Sequence, residues 1–312
     1  MCPQLLRHGQ IFLVYPAAFL ERPRAVTTPR QWGLPYKDVE IQTSDNVKLR
    51  CYFLWPRSTT GSSSKGLETQ SKLSTSRLGT VIMFHGNAMN LGDFLHSAST
   101  YHALKYNVLL VSYRGYGNSD GLPSEKGLQR DAQAALDYVL DDPKLSQVPI
   151  ILCGLSLGGA VAIDLASRNP SKITALIVEN TFKSLPDVVH DWPLIGYFSF
   201  LCHQRWDSAS KIPLLPPDLP VLMMSGAMDK VVPQKHMIAL RDLAHRRGRE
   251  KGRWWRKTKD VENEIAVGNT TFVSLPFGHH GDTFTQVHYW SAVESFLADI
   301  QNPIPGSPPS GT

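Results

Sequence analysis

Cysteine is scarce and scattered: the four in 312 residues stand at Cys2, Cys51, Cys153 and Cys202. That spacing excludes a dense disulfide framework and a thiolate metal site, and it suits a reducing compartment. His, Cys and carboxylates do not cluster at metal-ligand spacing, so no metal and no other cofactor is expected. A spanning helix needs about 20 consecutive apolar residues. The N-terminal stretch "IFLVYPAAFL", Ile11 to Leu20, offers ten, broken by Pro16. No small-residue cleavage site follows before Glu21 and Arg22, which argues against a secretory signal. Two uses of this stretch stay open: packing on the domain, or lying at a membrane surface as a shortened anchor.

A net basic excess is also missing from most of the chain. The net charge is +5, yet "RRGREKGRWWRKTK", Arg246 to Lys259, holds eight basic residues and one acidic one. The remainder sums to −2. A basic nucleic-acid motif is absent, so nucleic acid is not an expected partner. The basic stretch reads as a solvated insertion or, through Trp254 and Trp255, as a contact with an anionic membrane surface.

What is present is an ordinary globular composition, 42% apolar and 19% charged. The serine-rich "STTGSSSKGLETQSKLSTSR", Ser58 to Arg77, has no apolar period, and the tail "NPIPGSPPSGT" is Pro, Gly and Ser. Between them strands and helices alternate. "GTVIMFHG", "NVLLVSY", "VPIILCG", "ITALIVEN" and "PVLMMSGAMD" are apolar throughout, the pattern of strands covered on both faces. "TTFVSLPFG" is a further strand, and "DVEIQT" and "VKLRCYFLW" are expected to pair antiparallel ahead of the others. Helices are expected over Gly92–Lys105, after Ser124, after Ser156 and over "QVHYWSAVESFLADI". Ser124 stands where a cap belongs, with Glu125 and Asp131 near the start of its helix. The expected fold class is α/β, with a mostly parallel central sheet, helices on both faces and a small cap. The expected layout is an N-terminal segment 1–35, one domain over 36–300 and a loose tail 301–312. Within the domain, 58–77 is a disordered insertion, 184–217 a cap and 246–263 the basic insertion.

In such a sheet, reactive residues gather where strands end. Gly154-Leu155-Ser156-Leu157-Gly158 is a G-x-S-x-G between a strand and a helix, a turn that lifts the serine hydroxyl clear of the sheet. A serine needs a base, and the base an orienting acid, in chain order Ser, acid, His. Asp229 follows the strand "PVLMMSG", and "FGHHGD" after the next strand supplies His279 and His280. The backbone N–H groups of Leu157 and Asn87, the latter in "FHGNAMN", are candidates for stabilising an oxyanion. His85 in that loop reads as a packing residue.

The motifs "FHGNAMN", "SYRGYGNSDGLPSEKG", "GLSLGGAVA", "ENTFKSL", "SGAMDKVVP" and "GHHGDTF" give a family resemblance over roughly residues 36 to 300. The chain resembles the α/β-hydrolase superfamily, closest to the fungal bud-emergence (Bem) type and its relatives among membrane-associated protein depalmitoylases. The resemblance implies the α/β-hydrolase fold, with Ser156 as nucleophile, Asp229 as acid and His280 as base. Gly281 stands where the family usually has Asn, which keeps His279 as the rival base. Family members usually begin with a transmembrane anchor, and this sequence starts about where such an anchor would end.

The expected substrate is an acyl ester or thioester, with palmitoylated proteins among the candidates. Trp192, Phe198 and Phe200 in the cap are candidate walls for an acyl chain. The alternatives are a serine aminopeptidase-like hydrolase, a short-chain carboxylesterase, and a catalytically silent membrane-associated scaffold. Dehalogenases and epoxide hydrolases are disfavoured, because they place Asp where Ser156 stands. A monomer, membrane-associated on an endomembrane or cytoplasmic and not secreted, is expected.

Overall fold

The computed structural model describes residues 14–15, 26–56, 78–192, 196–248 and 268–302; the side chain of Phe198 lies outside this description. The strands, in chain order, are β1 (Tyr36–Gln42), β2 (Lys48–Leu54), β3 (Thr80–Phe84), β4 (Asn107–Val111), β5 (Ile150–Leu155), β6 (Ala175–Glu179), β7 (Val221–Gly226) and β8 (Thr270–Leu275). The helices are α1 (Leu95–Ala103), α2 (Glu125–Asp141), α3 (Leu157–Arg168), α4 (Leu185–Asp191), α5 (Ser208–Lys211), α6 (Lys235–His245) and α7 (Tyr289–Gln301). The strands form one sheet in the order β1-β2-β4-β3-β5-β6-β7-β8. β2 pairs antiparallel with β1 and β4, and every other pairing is parallel.

Burial explains the sequence pattern. Every residue of β3, β4, β5, β6 and β7 is buried, as continuous apolar runs require. The outer strands β1 and β8 keep exposed positions. Alternate residues of the central strands feed two cores. Val81, Met83, Ile151 and Cys153 pack with α1 and α7, while Ile82, Phe84, Leu152 and Val178 pack with α2, α3 and α6. The sheet is therefore a middle layer between two layers of helix.

Local departures have local causes. α1 begins at Leu95 and not at Gly92. The Asp93 carboxylate accepts from the Asn90 N–H at 2.8 Å and the Asn90 side chain accepts from the Gly92 N–H at 2.8 Å, so a side-chain-stabilised turn displaces the first helical turn. α2 is capped as expected, its Ser124 hydroxyl accepting from the Gly127 N–H at 3.1 Å. Asp131 serves another purpose than helix-end charge. It is fully buried and takes the Arg114 backbone N–H and Nε at 2.9 and 2.8 Å.

Between β6 and β7 the chain forms the cap. Among the described residues it is made of α4, a 3₁₀ turn over Gly196–Leu201, α5 and a second 3₁₀ turn over Ile212–Leu214. Pro213, Pro216 and Pro217 forbid a longer helix at its end. Glu125, at the start of α2, fastens the cap: its carboxylate accepts the N–H groups of Arg205 at 2.5 Å and Trp206 at 3.0 Å. The stretch 58–77, Trp254 and Trp255 of the basic run, and the tail beyond 302 lie outside the described residues. Among the described residues no helix is long and apolar enough to cross a membrane.

Candidate active site

Parallel strands put their following loops on one edge. At that carboxyl edge β5 ends at Leu155 and α3 starts at Leu157, leaving Ser156 alone at the bend. Its φ of 55° and ψ of −118° lie outside the comfortable regions for an L-residue, a conformation costing roughly 1–3 kcal/mol. Two ties hold it: the Ser156 N–H donates to the Glu179 carbonyl at 2.8 Å, and the Thr181 hydroxyl donates to the Ser156 carbonyl at 2.8 Å. The flanking glycines are required by space. A Cβ at Gly154 would overlap the Gly158 carbonyl, and one at Gly158 would overlap the Phe84 carbonyl. The helix thus seats directly on β3 and β5.

His280 arrives from the loop after β8. Its Nε2 lies 2.9 Å from the Ser156 Oγ and its Nδ1 lies 2.7 Å from the Asp229 Oδ2. This fits the neutral imidazole with the proton on Nδ1, donated to Asp229, leaving Nε2 to accept from the serine hydroxyl. Asp229 is buried, and its other oxygen accepts the N–H groups of Val231 and Val232 at 2.8 and 2.9 Å. The carboxylate is thereby aimed at His280. His279 points elsewhere: it is exposed, and its Nδ1 pairs with the Asp282 carboxylate at 3.2 Å. A Cβ at Gly281 would meet nothing within 4 Å, so that position places no constraint on the neighbouring ring.

The other expected positions sit around this line. Leu157 is the first residue of α3, whose N–H has no carbonyl one turn below it. Gly86 runs past the nucleophile, 3.7 Å separating its would-be Cβ from the Ser156 Cβ, and so brings Asn87 to the same corner. His85 is fully enclosed, its Nδ1 is 2.8 Å from the Gly86 carbonyl and its ring lies 4.5 Å from that of Tyr113. Burial pushes its pKa down to about 4, which keeps the ring neutral near pH 7.

The pocket expectation meets a different surface. Trp192 is 39% exposed and Phe200 76% exposed, so neither walls an enclosed cavity. Tyr197 on the cap, Met228 and Val231 on the acid loop and Phe277 on the histidine loop are exposed as well. Two hydrogen bonds join those loops, Trp192 Nε1 to the Val231 carbonyl at 3.5 Å and the Met228 N–H to the Gly278 carbonyl at 3.0 Å.

Sequence reasoning overlooked the clamp behind the histidine. Asn180, just past β6 with a φ of 43°, donates from Nδ2 to the carbonyls of His279 and His280 at 3.1 and 3.0 Å. Its Oδ1 accepts the Gly226 N–H at 2.8 Å. Beside it Glu179 is buried and accepts hydrogen bonds from Thr283 and, at 2.7 Å, from Tyr289. Burial raises its pKa to about 7, opposed by the Tyr289 hydrogen bond and helped by the Asp229 and Asp282 charges. The signal was available: Glu-Asn closing an otherwise apolar strand must be satisfied by something buried.

A mostly parallel sheet whose strand ends gather a serine elbow, a histidine and an aspartate is the framework of an α/β hydrolase. A family model described as "Serine aminopeptidase, S33" matches residues 75–202. The chain is 37% identical over 297 residues to Protein bem46 of Schizosaccharomyces pombe, covering 93% of this chain and 87% of that one. It is 32% identical to the alpha/beta hydrolase domain-containing protein WAV2 of Arabidopsis thaliana, covering 86% and 81%. It is also 32% identical to an uncharacterized membrane protein of Saccharomyces cerevisiae, covering 94% and 90%. Among solved structures, an alpha-beta hydrolase from Vibrio vulnificus superposes with a TM-score of 0.69 at 19% identity, covering 95% of this chain and 94% of that one. The Pyrococcus furiosus esterase Pf2001 superposes at 0.63 with 21% identity, covering 88% and 95%. The chain belongs to the α/β-hydrolase superfamily as a member of its Bem46 type.

Proposed function

We propose that this hydrolase is a serine enzyme that cleaves acyl esters or thioesters through an acyl-enzyme on Ser156. The observation that carries the reading is the continuous line from Ser156 Oγ to His280 Nε2 at 2.9 Å and from His280 Nδ1 to Asp229 Oδ2 at 2.7 Å. In the first half-reaction Ser156 Oγ attacks the carbonyl carbon while His280 Nε2 takes its proton. Asp229 holds the imidazole in place and stabilises its charged form. The N–H groups of Asn87 and Leu157 receive the negative oxygen. Collapse expels an alcohol or thiol that takes the proton back from His280. Water then repeats the sequence on the acyl-serine, releasing a carboxylic acid and restoring the serine.

An apolar acyl group is favoured by the exposed Met228 and Val231 on the loop that carries Asp229, with Trp192 hydrogen-bonded to that loop, and palmitoylated protein is the candidate natural substrate. Association with an anionic membrane is part of this proposal, and the basic run from Arg246 is its candidate contact. A monomer is part of this proposal.

The test is labelling by a fluorophosphonate probe, followed by turnover of p-nitrophenyl esters of two to sixteen carbons, an acyl thioester and an aminoacyl p-nitroanilide. Labelling at Ser156, lost in Ser156→Ala, with ester or thioester turnover, supports the reading. Turnover of the anilide alone would move the assignment to an aminopeptidase. No labelling and no turnover of any substrate would leave a scaffold.

A further inference from the structure

We propose that Val14 and Tyr15 form a positioning strap that sets the oxyanion loop of this site. The proposal rests on the serine-hydrolase reading and adds a component that lies more than 70 residues away in sequence. Asn87 is the residue whose N–H is assigned to the oxyanion. Its own side chain is gripped at both ends: Nδ2 donates to the Val14 carbonyl at 2.6 Å, and Oδ1 accepts from the Tyr116 hydroxyl at 2.5 Å. The loop's backbone gives weaker support at this corner, with the Met89 N–H reaching the Gly86 carbonyl at 3.3 Å. The direction of the Asn87 peptide is therefore set largely by what holds its side chain.

Val14 is itself held by its neighbour. Tyr15 is fully buried, and its hydroxyl accepts from Trp206 Nε1 at 2.9 Å and donates to Gln204 Oε1 at 3.1 Å. Gln204 Oε1 also takes the Glu125 N–H at 2.6 Å. Cap, strap and oxyanion loop thus form one connected polar network. A strap serving only as packing would present apolar contacts; this one spends a main-chain acceptor on the side chain of a residue whose N–H the reaction requires. Removing an oxyanion donor outright costs about 10²–10³-fold in kcat, and an error of about 1 Å in placement can cost about 10²-fold.

The test uses the full chain. Asn87→Ala keeps the backbone N–H and removes both side-chain ties. The expected result is a kcat lower by about 10- to 100-fold, seen also in the acylation burst with p-nitrophenyl acetate, with KM changed less than about threefold. Tyr15→Phe keeps the ring and loses the hydroxyl. It is expected to lower kcat by a few-fold, and in combination with Asn87→Ala to lower it no further than Asn87→Ala alone. That non-additivity marks an effect passing through Asn87. A kcat within twofold of wild type for Asn87→Ala, or losses that multiply in the double variant, overturns the strap. Should Ser156→Ala retain turnover, the hydrolase reading itself falls. An inert Ser156→Ala beside a fully active Asn87→Ala breaks the strap alone.

Discussion

The two edges of the sheet use buried polar groups for opposite ends. At the carboxyl edge Ser156, Asp229, His280 and the Glu179–Asn180 pair come from the ends of β5, β6, β7 and β8, and their hydrogen bonds join separate loops. At the amino edge the conspicuous group is Arg247, fully buried just after α6. It donates to the carbonyls of Ala244, Pro216, Leu219 and Asn269 and to the Thr270 hydroxyl, at 2.8 to 3.1 Å. Burial lowers its pKa to about 10, which leaves it charged near pH 7. The first edge arranges groups so that a proton can move; the second arranges a fixed charge so that backbone stays put. Burial of a charge alone therefore does not mark a reactive site, whereas an acid-base-nucleophile line in hydrogen-bond reach does.

The largest break in that comparison is expected from the histidines. His280→Ala should lower kcat by about 10³-fold or more, as loss of a triad member does. His279→Ala, which removes only the exposed pairing with Asp282, should stay within a few-fold of wild type. Steady-state hydrolysis of a short ester decides it: equal losses would mean that the His280 line is not the working one.

The carboxyl edge was largely legible because its signals are local. A G-x-S-x-G fixes its own geometry through Gly154 and Gly158, and Asp229 and His280 each follow a recognisable strand. The mostly parallel sheet and its two-faced burial followed from the apolar runs. What escaped reading depends on contacts between distant segments. Glu179-Asn180 signals a buried polar pair, but its partners in the His280 loop appear only when that loop folds onto it. Asn87 is legible as an oxyanion donor, but the ties of its side chain to Val14 and Tyr116 are not. Arg247 counted as one more positive charge in a basic run, and the fold removes it from that run: of the residues expected to be available there, it is fully buried. A charged side chain takes its role from the acceptors that surround it, and these come from β7, β8 and the cap's end.

Next in size is the amino edge itself. Arg247→Met keeps the bulk and discards five donors, leaving buried carbonyls short of partners. A cost of about 2–4 kcal/mol is expected, or a Tm lower by roughly 5–15 °C. Arg247→Lys should rescue little, since an ammonium cannot span the same fork of acceptors. Short-ester kcat well below the Tm should be unchanged in both, and a fall in kcat without a fall in Tm would erase the distinction between the edges.

Glu179 gives a smaller, pH-dependent effect at the carboxyl edge. Its folded pKa of about 7 exceeds the ordinary 4.5. The folded chain thus keeps a proton that the unfolded chain releases, so stability falls as pH rises from about 4.5 to 7, by about 3 kcal/mol in total. Asp131, raised to about 6, acts in the same direction. Chemical denaturation of wild type and Glu179→Gln at pH 5 and pH 7.5 isolates the Glu179 share. The variant should lose less stability across that interval; parallel losses would mean that Glu179 titrates normally.

The smallest expected effect tests the reach of the amino edge. Gly248 and Gly268 flank residues 249–267 of the sequence, and the Gly268 N–H donates to the His245 carbonyl at 3.3 Å. Both points lie where α6 ends and β8 begins, whereas His280 follows the far end of β8. Six residues of strand, at about 3.3 Å each, separate the two by roughly 20 Å. Deleting Arg249 to Val267 while keeping Arg247 should therefore leave short-ester kcat and KM within a factor of about two. Under the proposed function the same deletion should weaken binding to phosphatidylserine vesicles, because each basic residue near such a surface contributes about 1 kcal/mol. That loss should shrink as salt is added, the Debye length falling to about 3 Å at 1 M. Turnover that falls while vesicle binding is unchanged would show the segment supporting His280 through β8, and the separation of the two edges would not stand.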